Sequence, residues 1–218
     1  MANSACRILL STVVSKVPVT AFPSHNEPPE IIADNVDLDP LTGTLTRQAF
    51  FQRLIDRAAA ANTKAHTFAI CLVNADQLKN VNLSHGQQTG DQVLTQLTRR
   101  IRLDLAVTLS DTQEIDLCRY DGNGFALLIP DSDLEQASEA AESFRRAISE
   151  TEIQRGLRVT VSVGVSQYRL WESAEDTLSR AEHALHLAKQ FGRDRVEVAA
   201  SPKSRAEVAE VIPIDRPA

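Results

Sequence analysis

Ile115-Asp116-Leu117-Cys118-Arg119-Tyr120-Asp121-Gly122-Asn123-Gly124-Phe125-Ala126-Leu127-Leu128-Ile129 sets two apolar runs on either side of a short loop of turn residues. Asp-Gly and Asn-Gly are the commonest tight-hairpin dipeptides because their residues tolerate positive φ. The stretch therefore predicts two antiparallel strands, residues 115–120 and 125–129, the second ending at Pro130. Taken alone, the loop is a plain turn that carries one charged side chain, Asp121.

Working outward, residues 68–73 form a continuous apolar run of the length expected of a strand buried on both faces. Val159, Val161, Val163 and Val165 alternate with Thr160, Ser162 and Gly164 at strand period, and residues 195–198 close as a last strand. Between these lie four helical patterns. Phe50, Phe51, Leu54, Ile55 and Ala58 mark the first, over residues 46–61. Leu94, Leu97, Ile101 and Leu105 mark a long second one starting near Asp91. Ser132-Asp133-Leu134-Glu135 reads as a capping box opening the third, and Ser173-Ala174-Glu175-Asp176 caps the fourth, which Gly192 stops. The predicted class is α+β: a mixed or antiparallel sheet of about five strands, flanked by helices, with one hairpin.

The 218 residues, 43% of them hydrophobic, suffice for one ordinary domain with a single core. Residues 1–36 carry Pro18, Pro23, Pro28 and Pro29 without any period and read as a flexible N-terminal segment suited to docking. Residues 37–199 read as the folded domain and 200–218 as a flexible tail. A net charge of −6 argues against nucleic acid as a partner. The apolar run 8–14 is far too short to span a bilayer and lacks a signal peptide's basic flank, so no membrane is expected. Cys6, Cys71 and Cys118 are scattered without C-x-x-C spacing, which fits a reducing cytoplasm.

Five ordered motifs then resemble one family. Asp39-Pro40-Leu41-Thr42-Gly43 with Arg47 resembles the D-x-L-T-G-x-x-x-R opening of the GGDEF family, the diguanylate cyclase fold. Asn74-Ala75-Asp76-Gln77-Leu78-Lys79-Asn80-Val81-Asn82, with Gly86, Gly90, Asp91, Val93 and Leu94, is similar to its D-x-D-x-F-K-x-I-N-D-x-x-G-H-x-x-G-D-x-V-L stretch. Residues 119–125 take the place of R-Y-G-G-D-E-F, 160–165 that of T-x-S-x-G-V, and 184–193 that of A-L-Y-x-A-K-x-x-G-R.

The resemblance implies a nucleotidyl-cyclase-like fold and a reaction in which two GTP molecules become cyclic di-GMP by metal-assisted phosphoryl transfer. Divalent cations must be held against the attacking hydroxyl and the triphosphate, ordinarily by carboxylate oxygens. At the family's two metal-ligand positions this chain has Asn74 and Asn123. Each lost charge beside a divalent ion removes on the order of 4 kcal/mol at an effective dielectric near 20 and a separation near 4 Å. At about 1.4 kcal/mol per tenfold in rate, losing both suppresses turnover by orders of magnitude.

The signature hairpin departs further, with Asp121 at the first glycine and Gly124 at the acidic residue after the metal ligand; Gly122 and Phe125 are kept. Asp121 adds bulk and repels phosphate; the alternative is that it takes over metal binding from a shifted loop. Asn82 and Asp91 match the family's guanine-reading pair, and Lys79, Lys189 and Arg193 its phosphate contacts. Asp91 is also explained as an N-terminal helix charge, and Lys189 with Arg193 as C-terminal charges favoured by the helix dipole. The inhibitory product site, R-x-x-D in the family, reads Gln113-Glu114-Ile115-Asp116, and glutamine lacks arginine's charged fork for phosphate.

Three functions fit this pattern. The first is a silent GGDEF-like module in cyclic di-GMP-type signalling that needs no cofactor and holds a protein partner, a guanine nucleotide such as GTP, or both. The second is a working cyclase that uses Mg or Mn with unusual ligands and pairs two chains as a homodimer. The third is a docking module with a closed nucleotide cleft, using residues 1–36 as its contact element.

Overall fold

The computed structural model describes residues 37–64, 66–109, 115–153 and 156–199. The expectations for residues 1–36, for the tail 200–218, for Cys6 and for Gln113 lie outside them.

In chain order the elements are β1 (Leu45–Thr46), α1 (Arg47–Lys64), β2 (Phe68–Ala75), α2 (Leu78–His85), α3 (Gln87–Thr108), β3 (Asp116–Arg119), β4 (Gly124–Pro130), α4 (Leu134–Ser149), β5 (Val161–Gln167), α5 (Ala174–Gln190) and β6 (Val196–Val198). Among the described residues they build a six-stranded sheet ordered β1-β3-β4-β2-β5-β6. The inner pairings are antiparallel, and the outer β1/β3 and β5/β6 pairings are parallel.

β2 lies at the centre and is buried along its whole length, which is why its sequence is continuously apolar. Strand alternation sends its side chains to two different cores. Ala69, Cys71 and Val73 pack with Val93, Leu97 and Phe144 of α3 and α4. Ile70 and Leu72 pack with Phe50, Leu54, Leu178 and Ala181 of α1 and α5. Asn74 shares its parity with Ile70 and Leu72, so it meets the α1/α5 side at the end of the strand. Burial pushes the Cys71 and Cys118 thiols up to about 12, so both behave as small hydrophobes.

Four details differ from the sequence expectation. Two-residue β1 and eight-residue α2 are additions, each too short to show a period. α3 begins at Gln87 rather than near Asp91, because Gly86 starts it with no side-chain cap and its first turn is polar. The capping box of α4 is Asp133 with Gln136, one residue later than expected. Ser132 is buried and instead donates to the Pro130 carbonyl at 3.2 Å.

Candidate functional site

The hairpin between β3 and β4 closes against the end of β2 through the ladder pairing of Asn74 with Gly124. This register brings Asn74 and Asn123 face to face. Asn74 Nδ2 donates to Asn123 Oδ1 at 3.0 Å, and Asn123 Nδ2 donates back to Asn74 Oδ1 at 3.0 Å. Asn123 Nδ2 also donates to the Ala75 carbonyl at 3.0 Å, while Ala75 N donates to the Asn123 carbonyl at 2.9 Å. The bond to Ala75 fixes which way both amides face.

A reciprocal carboxamide pair needs no ion. Two carboxylates in the same places would set acceptor against acceptor and charge against charge, and would need a cation between them. The amides satisfy each other, bring no formal charge, and leave Asn74 only 7% exposed. The pair thus offers none of the carboxylate charge on which the hard-oxygen sites of divalent cations mostly draw. Among the described residues, no group of three or more His, Cys, Asp or Glu side chains is arranged to hold a metal.

The rest of the hairpin is interlocked with the pair. Asp121 Oδ1 accepts from Asn123 N at 3.1 Å, an Asx turn that commits this carboxylate to the loop's own backbone. A Cβ at position 124 would lie 2.6 Å from Asp121 Oδ1, so a side chain there would displace the carboxylate from this turn. Arg119 donates to the carbonyls of Asp121 at 3.2 Å and Gly122 at 2.7 Å, and lies 3.6 Å from Asp39. Tyr120 donates to Glu182 at 2.9 Å beneath the Arg47 guanidinium, and burial, helped by Glu182, pushes its phenol up to about 12.

Beside the hairpin a cleft of about 230 Å³ opens on the α5 side, lined by Asn74, Asp121, Tyr120, Glu182, His186 and Lys189 among others. Lys189 is thus brought to the hairpin, whereas Lys79 and Arg193 are exposed and do not line this cleft. Sequence reasoning missed Tyr120, Glu182 and His186 as site residues, although Tyr120 and His186 lie inside the matched stretches 119–125 and 184–193 and Glu182 lies two residues before the second.

Asn82 of α2 packs against Gly90 of α3, the residue before Asp91. The Asn82 amide lies over Gly90, where a Cβ would come within 1.8 Å of Asn82 Oδ1. That oxygen is buried with no hydrogen-bond partner, and no bond to the Asp91 carboxylate is found among the described residues. Asp76, inside the matched motif, is a brace: it accepts from Thr160 and Ser162 at 2.7 Å each and from Asp194 N at 3.2 Å. Asp116 is buried against Arg53 at 2.9 Å and Arg57 at 3.5 Å.

The family model described as diguanylate cyclase, GGDEF domain, matches residues 36–195. The chain belongs to the GGDEF domain family. This GGDEF domain is 32% identical over 159 residues to diguanylate cyclase DgcM of Escherichia coli (strain K12), covering 72% of this chain and 37% of that one. It is 30% identical over 165 residues to the response regulator PleD of Caulobacter vibrioides (strain NA1000 / CB15N), covering 72% and 35%. The chain therefore spans little more than a third of the length of these relatives. Among solved structures, the GGDEF domain of DgcB from Caulobacter crescentus in complex with c-di-GMP matches with a TM-score of 0.70 at 28% identity, covering 77% of this chain and 98% of that one. Diguanylate cyclase SiaD in complex with its activator SiaC from Pseudomonas aeruginosa matches with a TM-score of 0.69 at 30% identity, covering 75% and 62%. No described helix of this GGDEF domain is long and apolar enough to cross a membrane.

The amide pair makes a testable energetic statement. Asn74→Ala or Asn123→Ala leaves the partner amide unsatisfied, at a cost of about 1–3 kcal/mol each. The double variant is expected to cost little more than Asn123→Ala, which already removes both shared bonds and the one to the Ala75 carbonyl. Chemical denaturation of the four proteins measures this coupling, and simple additivity would show that the two amides do not act as a unit.

Proposed function

We propose that this GGDEF domain is catalytically silent and serves as a binding module in cyclic di-GMP signalling, in the cytoplasm, without a resident Mg or Mn ion. One observation carries the reading: Asn74 and Asn123, at the positions of the family's metal-binding carboxylates, are spent on each other. Phosphoryl transfer depends almost wholly on positioning and electrostatic stabilisation, so losing both anions removes the main lever.

The guanine-reading half is retained. Asn82 Oδ1 and the Asp91 carboxylate are two acceptors free of partners among the described residues. They suit the adjacent N–H donors on guanine's Watson–Crick edge. A buried acceptor without a partner is costly, and once the Asn82 amide turns away from Gly90 a ligand donor would remove that cost. A protein partner is the other half of the proposal. SiaD, with an activator protein bound, and DgcB, with c-di-GMP bound, are relatives that support both partner classes.

Calorimetric titration with GTP in the absence of metal tests the nucleotide half. Binding is expected to be insensitive to Mg²⁺ and to weaken about tenfold or more in Asn82→Ala and Asp91→Ala, since a hydrogen bond to a charged group contributes about 1.5–3 kcal/mol. An affinity unchanged by either substitution would show that these residues do not read the base.

A further inference from the structure

Asn123-Gly124 is the one Asn-Gly dipeptide in the 218 residues. Such a pair is chemically labile because glycine has no Cβ to shield its own backbone nitrogen, and its φ and ψ are free to bring that nitrogen onto the preceding side-chain carbonyl. In the reaction the Gly124 nitrogen bonds to Asn123 Cγ while the Cγ–Nδ2 bond breaks. Ammonia leaves, carrying the proton given up by the Gly124 N–H. Water then opens the five-membered imide at either carbonyl, giving aspartate or its isoaspartyl isomer. The net change consumes water, releases ammonia and moves no electrons.

We propose that Asn123 is a deamidation site gated by Asn74. The Asn123 side chain is held by two bonds donated from Nδ2, to Asn74 Oδ1 and the Ala75 carbonyl, and by one accepted from Asn74 Nδ2, each 3.0 Å. All three draw the carboxamide toward β2. Cyclisation needs Cγ to swing back onto its own chain, so the pair must open first.

The three hairpin residues and Asn74 thus form a dependency. A Cβ at position 124 would meet Asp121 Oδ1 at 2.6 Å, so a side chain there would turn that carboxylate out of its Asx turn. The glycine beside that turn makes Asn123 labile, and Asn74 restrains it. The product breaks the arrangement: an aspartate at 123 has no N–H for Asn74 Oδ1 or the Ala75 carbonyl, and it sets a second carboxylate beside Asp121. The inference rests on this geometry and is independent of whether the domain turns over GTP.

The test is peptide mapping by mass spectrometry of the full chain held in mildly alkaline buffer, folded and in urea, for the native protein and Asn74→Ala. Asn123 is expected to convert ahead of the other asparagines in urea. Conversion in the folded native protein is expected to be slower by on the order of tenfold or more, because each hydrogen bond to be opened contributes several-fold. Folded Asn74→Ala is expected to recover most of that rate. Equal rates in folded native protein and folded Asn74→Ala, or an Asn123 that stays intact in urea while other asparagines convert, would overturn the proposal. If Asn74→Ala does not fold, Asn123→Asp supplies the aspartyl product directly. It is expected to melt below the native chain, and an unchanged or higher melting temperature would equally overturn the gate.

Discussion

Gly164→Ala is expected to lower the stability of the domain by about 3 kcal/mol, at the upper end of the usual range for overpacking. A Cβ built on Gly164 would lie 2.2 Å from Leu185 N and 2.3 Å from the Ala181 carbonyl, both backbone atoms of α5. A flexible side chain could turn away from a new methyl group, but a helix backbone moves only as a unit. α5 would have to lift from β5, loosening Leu178 and Ala181 in the core that also holds Phe50 and Leu72. For a domain of this size about 1 kcal/mol corresponds to roughly 2–4 °C, so melting is expected to fall by roughly 6–12 °C. Thermal unfolding followed by circular dichroism checks this, and a shift within a degree or two would mean that α5 tolerates displacement.

The second large effect concerns recovery of catalysis. Asn74→Asp with Asn123→Asp returns both charges but leaves the loop closed by Asp121, and it removes the donors that hold the pair together. The double variant is expected to be less stable than the parent and to make no measurable cyclic di-GMP. Gly124→Glu added alone would push Asp121 out of its Asx turn, because its Cβ would lie 2.6 Å from Asp121 Oδ1. Joined with Asp121→Gly, the four changes restore the family's hairpin. Both metal-site charges are already present in the double variant, so the further gain comes from the hairpin's shape, and the four changes are expected to give measurable cyclic di-GMP where the double variant gives none. Product from the double variant alone, measured by chromatography after incubation with GTP and Mg²⁺, would show that charge suffices and hairpin shape does not matter.

How far the sequence reached differs between fold and site. β2, β4 and β5 were legible because their apolar runs and alternation are properties of contiguous residues. β1 exists only through its pairing of Leu45 with Cys118 and Thr46 with Arg119, which no local pattern announces. α2 presents just Leu78 and Val81 to the core and is entered through Gln77 in a left-handed conformation, so neither period nor cap revealed it.

In the site, the positions of Asn74, Asn82, Asp91 and Asn123 followed from motif order, but their interactions did not. The reciprocal amide pair depends on the register that sets Asn74 opposite Gly124. Asp121, expected to act on phosphate through bulk and charge, also accepts from the Asn123 backbone and crowds the space a side chain at 124 would fill. Such couplings are steric and geometric, and they become visible only once the strands are paired.

The central claim is that two carboxamides, paired with each other, stand where the reaction needs anionic oxygens. Its most direct test is to incubate the purified chain with GTP and either Mg²⁺ or Mn²⁺, beside an active GGDEF domain, and to quantify cyclic di-GMP by chromatography. Product is expected below the active domain's level by at least two orders of magnitude with both metals. Product at a comparable rate with either metal would contradict it.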